Sequence, residues 1–71
     1  MAKEQSLQDR FLQALKTNRT GVTVFLVNGF QIRGVITDFD SFALFLLADG
    51  RQEMIYKHAI STIMPVNTVS L

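Results

Sequence analysis

The chain has no cysteine and no tryptophan, and only one proline, one histidine and one tyrosine. Without cysteine there is no disulfide framework and no zinc–thiolate site. With His58 alone, no multi-histidine metal site forms within one chain, so neither metal nor cofactor is expected. No apolar run approaches the roughly 20 residues that cross a bilayer as a helix. The opening stretch MAKEQSLQDR is polar and charged and lacks the apolar core of a signal peptide. A soluble, cytoplasmic protein is therefore expected. Neither sign of charge prevails: seven basic and six acidic residues leave a formal charge of +1, which neither establishes nor excludes a nucleic-acid partner.

Apolar side chains, by contrast, make up 48% of the 71 residues. A single domain of this length buries only about 60% of its unfolded surface. Lacking disulfides and metal, it is expected to gain its remaining stability by oligomerisation. The apolar excess is read as subunit interface.

The pattern along the chain is one helix followed by short strands. Ser6-Leu7-Gln8-Asp9 resembles a capping box. Leu7, Phe11, Ala14 and Leu15 then recur at helical spacing, predicting a helix over about 7–18 that Thr20-Gly21 ends. From Val22 the composition turns β-branched and aromatic, predicting a strand over 22–27 with Val22, Val24 and Leu26 inward. Asn28-Gly29 signals a type I′ hairpin turn. The return strand covers 30–38, with Gly34 marking a bulge or bend of the kind small barrels use. Phe42–Ala48 is apolar on both alternating faces and reads as buried on both sides. Asp49-Gly50 is a second tight turn, followed by strands over 51–57 and 60–64, Pro65 as a stop and a short tail over 66–71. The expected whole is a single domain, mainly β. An N-terminal helix precedes a strongly bent, five-stranded antiparallel, SH3-like small barrel with edges open to a second copy.

No catalytic constellation is present. Asp38 and Asp40 read as turn carboxylates that accept from backbone amides. The glycines lack the spacing of a phosphate-binding loop, and His58 near Ser61 and Thr62 is not a triad. The segment Tyr56-Lys57-His58-Ala59-Ile60-Ser61 has two readings. Tyr56 could be core, Lys57 solvated and His58 a cap at a strand break. Equally, an aromatic ring, a cation and an imidazole at a loop tip suit single-stranded RNA, which is bound by stacking and by contacts to phosphate and ribose.

YKHAIS at 56–61 resembles the second Sm motif of the bacterial Hfq family of Sm-like proteins. SLQDRFL near the start, VTVFLVNGFQIRG at 22–34 and FDSF at 39–42 resemble that family's first motif and its surroundings. The similarity spans about residues 4–65. It implies an Sm fold assembled as a homohexameric ring. The implied role is an RNA chaperone that pairs small regulatory RNAs with mRNAs in post-transcriptional regulation, including the stress response, with no enzymatic activity.

The resemblance also implies three RNA-binding surfaces. Uridine-rich RNA would meet Gln8, Ser41, Phe42, Tyr56, Lys57 and His58 on the helix-bearing, proximal face. Adenine- or purine-rich RNA would meet Phe25, Leu26, Asn28, Gly29, Phe30, Gln31, Ile32, Arg33, Glu53 and Thr62 on the opposite, distal face. Phe25 and Phe30 resemble the Firmicute form of that face. Gln13, Lys16, Arg19 and Phe39 would form the rim. Ser41 and Glu53 depart from glutamines common in the family, and Lys16-Thr17-Asn18-Arg19 carries fewer cations than an arginine-rich rim, so modest annealing activity is expected. The rival expectation is an SH3-like protein-interaction scaffold that binds no RNA.

Overall fold

The computed structural model describes residues 6–70. Residues 1–5, part of the polar opening stretch, and residue 71 lie outside it. The Ser6 hydroxyl accepts from the Asp9 amide at 3.0 Å, satisfying one of the amides that the start of a helix leaves unpaired. Helix α1 then runs Leu7–Asn18. Its buried seam is Leu12 and Leu15, with Phe11 packed beside them, while Leu7 is 62% exposed. The seam is thus rotated from the expected Leu7–Phe11–Ala14–Leu15 stripe. Gln8, one turn before Leu12, shares the seam's side of the helix.

The helix ends earlier than the Thr20-Gly21 signal. Arg19 takes the left-handed conformation at φ 50°, its amide donates to Lys16 and the Thr20 amide donates to Leu15. This Schellman arrangement usually uses glycine. Here Gly21 is instead the first residue of β1 (Gly21–Leu26).

The remaining strands are β2 (Gln31–Phe39), β3 (Ala43–Ala48), β4 (Arg51–Tyr56) and β5 (Ile60–Pro65), with one 3-10 turn at Lys57–Ala59 before β5. All pairings are antiparallel in the order β4-β3-β2-β1-β5. The two ends of that order are not bonded to each other, so β4 and β5 each keep an open edge. Pro65 does not stop β5 short: it is the last residue of the strand and pairs with Val22.

The two turn signals behave differently. At Asp49-Gly50 both residues have positive φ, 52° and 75°, as a type I′ turn requires. At Asn28-Gly29 only the glycine does, at 94°. The Gly29 amide donates to Leu26, Leu26 donates to Phe30, and the Asn28 side-chain oxygen accepts from the Phe30 amide. The result is a three-residue loop closed by a left-handed glycine, not the expected type I′ turn.

Bending is divided between two positions of β2. The ladder to β3 skips a residue between Ile36 and Asp38, a bulge at Thr37. At Gly34 a Cβ would overlap the Leu47 carbonyl oxygen, so the close approach of the two backbones there requires glycine.

The core comprises Leu12, Leu15, Val22, Val24, Ile36, Leu44, Leu46 and Ile55, with Leu26 only half-buried at its edge. Fully burying one such side chain contributes about 1.5–3 kcal/mol, so the helix seam is a substantial part of the stability. β3 departs from expectation. Ala43, Leu44, Leu46 and Ala48 are buried, but Phe45 and Leu47 on the outer face remain exposed, because no element of this chain covers that side.

Candidate nucleic-acid interface

The YKHA segment sits where β4 turns into β5. The Lys57 amide donates to the Phe42 carbonyl at 2.7 Å, and the Val27 amide donates to Ala59 at 2.9 Å. The 3-10 turn is therefore tied to the start of β3 and to the β1–β2 loop. Tyr56 and His58 stack with ring centroids 5.5 Å apart and planes within 5°, a normal spacing for aromatic pairs. The Lys57 ammonium lies 5.6 Å from the centroid of Phe39, within cation–π range.

Asp40 shapes the neighbouring loop. One of its oxygens accepts from the Phe42 and Ala43 amides at 2.8 and 2.9 Å, and these bonds hold its carboxyl below the ordinary carboxylate value. This fixes Ser41 and Phe42 at the loop tip, where Phe42 is 76% exposed. An aromatic ring so displayed forfeits apolar burial unless something stacks on it.

Gln8 and Lys57, far apart in sequence, line one open groove of about 250 Å³, floored by Phe11, Leu12, Leu44 and Ile60. Ser61 and Thr62 both face it. A regular strand would turn one of them away, but the β1–β5 ladder slips between Phe25 and Leu26 and leaves Ser61 unpaired. The sequence reading placed Ser61 only next to a possible triad. Its place in the groove depends on a bulge that residue types do not announce.

The other candidate surface follows the β1–β2 hairpin. Phe25 pairs with Gln31 on one side and Thr62 on the other. Phe30 at the loop is 68% exposed. Gln31, Ile32, Arg33 and Glu53 come together in an open concavity of about 840 Å³, which also takes in Ala48, Asp49 and Arg51. Arg51 was missed in the sequence reading, although its signal was present: a tight Asp49-Gly50 turn places it directly opposite Ala48. Asn28 and Gly29 form the loop itself. Thr62 stands beside Phe25 in the ladder yet also lines the groove holding Gln8 and Lys57.

Of the rim residues, Lys16 and Arg19 flank a small hollow with Val35, Ile36 and Thr37. The Lys16 ammonium is 3.3 Å from Asp38. The Asp38 carboxyl is held low by the Phe39 amide first and by Lys16 second. The Gln13 amide donates to Thr17 on its own helix. Phe39 does not join this cluster; its ring lies beneath Lys57.

Against known proteins, residues 7–70 match the family model of the Hfq protein. An RNA-binding protein Hfq from Moorella thermoacetica is 59% identical over 66 residues, covering 93% of this chain and 79% of that one. Its counterpart from Oceanobacillus iheyensis is 52% identical over 71 residues, covering all of this chain and 96% of that one. A crystal structure of the pleiotropic translational regulator Hfq matches with a TM-score of 0.82 at 49% identity, over 83% of this chain and 98% of that one.

Proposed function

This chain belongs to the Hfq family, and from that premise we propose that it is an RNA-binding chaperone working as a homohexameric ring of single Sm-like domains. It holds uridine-rich single-stranded RNA on the face of Gln8, Phe42 and Lys57 and purine-rich RNA on the face of the β1–β2 hairpin. Two RNAs held on one ring meet at a high effective concentration, which favours pairing of small regulatory RNAs with mRNAs without any chemical step. The chain acts by binding rather than catalysis, in the cytoplasm, where both classes of RNA are found.

The observation that carries this reading is the groove in which Gln8 and Lys57 face each other beside the displayed ring of Phe42. A base stacked on an aromatic side chain contributes about 1–3 kcal/mol. The amide of Gln8 can donate and accept, and the ammonium of Lys57 can donate to a uracil carbonyl or a phosphate. His58, stacked on Tyr56, presents ring nitrogens for a ribose hydroxyl, the group that distinguishes RNA from DNA. Arg19, Lys16, Gln13 and Phe39 contribute a weaker lateral contact, because Asp38 already engages Lys16.

Lys57→Ala and His58→Ala each test the groove. Either change should weaken oligo(U) binding about tenfold, the scale of one lost contact to a charged or stacked group, while the mass of the assembly stays the same. Oligo(U) affinity unchanged in both variants would refute the assignment.

A further inference from the structure

The concavity between β2 and the β3–β4 hairpin contains charge that general RNA attraction does not account for. Cross-strand partners share a face of the sheet. Glu53 lies opposite the buried Leu46, and Arg51 lies opposite the buried Ala48. Both therefore stand on the core-facing side, at the mouth of the barrel, where Ile32 and Ala48 supply apolar walls. Glu53 is half-buried there. Among the described residues the one ion pair is Lys16–Asp38, and no hydrogen bond reaches Glu53. Its carboxylate thus meets apolar walls with its acceptor sites unfilled, which costs free energy until donors arrive.

The balance of charge indicates which donors these are. Arg33 and Arg51 are matched in this concavity by Asp49 and Glu53, so it has no net attraction for phosphate. What it offers is acceptors and donors side by side, the complement of a base edge. An ionised carboxylate only accepts, and its two oxygens suit two adjacent donors. Guanine alone among the four RNA bases places two donors together on its pairing edge, N1–H and the N2 amino group. Its O6 and N7 accept a bidentate arginine. Adenine would turn its N1 lone pair towards the carboxylate beside a single amino donor. Cytosine has the same mismatch, and uracil flanks its one N–H with two carbonyls.

We propose that Glu53, with Arg33 or Arg51, makes this face a guanine-selecting site for single-stranded RNA. The inference rests on the reading of the hairpin face as the purine-binding surface and specifies which purine it takes. The carboxylate accepts from N1–H and N2, an arginine donates to O6 or N7, and the base lies between Ile32 and Ala48.

The test uses the purified full-length assembly and three single-stranded RNAs of equal length: AAG repeats, A alone and U alone. All are measured by fluorescence anisotropy at one salt concentration, because phosphate contacts vary steeply with salt. The AAG repeat should bind about tenfold more tightly than A alone, the discrimination of one bidentate contact. Glu53→Gln, a near-isosteric change that restores a donor, should erase the difference between the two purine RNAs. Equal or tighter binding of A alone by the unaltered protein would overturn the proposal, as would a guanine preference that survives Glu53→Gln. Failure to bind any of the three RNAs would instead defeat the RNA-binding reading itself. Binding of U without discrimination between the purine RNAs would defeat only the guanine assignment.

Discussion

Asp40 organises the candidate groove without facing it. Its carboxylate holds the Phe42 and Ala43 amides and so sets the angle at which Phe42 projects. Asp38 does the same for the Phe39 amide while engaging Lys16. Both carboxyls are lowered from the ordinary value of 3.8. A carboxyl lowered on folding stabilises the folded state above its unfolded-chain value, and that contribution is lost as pH falls through the folded value. The melting temperature should therefore hold steady from neutral pH towards 3.8 and decline below it. Asp40→Asn, which keeps an acceptor but cannot titrate, should show a shallower acid decline in circular-dichroism melts. Parallel declines for the two proteins would show that these bonds do not couple to pH.

Single residues also show where sequence reading stops. That Asp40 would serve backbone amides was legible, since short carboxylates in turns do so regularly. That Phe39 would lie beneath Lys57 was not, because the contact joins the end of β2 to the 3-10 turn through tertiary packing alone. Asn28-Gly29 and Asp49-Gly50 carry the same dipeptide signal, yet only the second forms the type I′ turn. The Asn28 side chain accepts from Phe30 and offers the loop another way to close.

At the scale of elements, α1 does two jobs with neighbouring positions. Leu12 and Leu15 anchor it in the core, and Gln8, on the same side one turn earlier, is brought to Lys57. Leu12→Ala should cost about 2–5 kcal/mol, because the removed methyl groups leave a cavity that the packed sheet fills only partly. Against a typical total of roughly 5–15 kcal/mol, this is a large loss, measurable by urea unfolding at fixed protein concentration. A cost below about 1 kcal/mol would mean that the helix is not anchored as described. The helix and five strands were legible from periodicity and turn residues. The position of the helix seam was less so, because Leu7, Phe11, Leu12 and Leu15 lie on adjoining helical stripes and only packing selects among them. The bulges at Thr37 and Ser61 had no signal in residue type, and Ser61 enters the groove through one of them.

At the scale of the molecule, the salient feature is apolar surface that one chain leaves uncovered. β3 reads in sequence as buried on both faces, yet Phe45 and Leu47 are exposed, as are Met54 on β4 and Met64 on β5, the two open-edged strands. The sequence pattern and the single-chain structure are reconciled if further copies cover this surface. Edge strands paired head to tail between copies produce a ring when the rotation closes. A ring would also repeat the Gln8–Lys57 groove and the guanine-selecting concavity around one axis, so that one RNA engages several copies and gains affinity through multivalency.

The central claim is that this chain is a ring that binds single-stranded RNA, and native mass spectrometry with and without a short oligo(U) tests it most directly. The account predicts a hexamer that takes up one or a few oligonucleotides and keeps its subunit number. A monomer indifferent to RNA would contradict it and would point to a protein-interaction scaffold with the same fold.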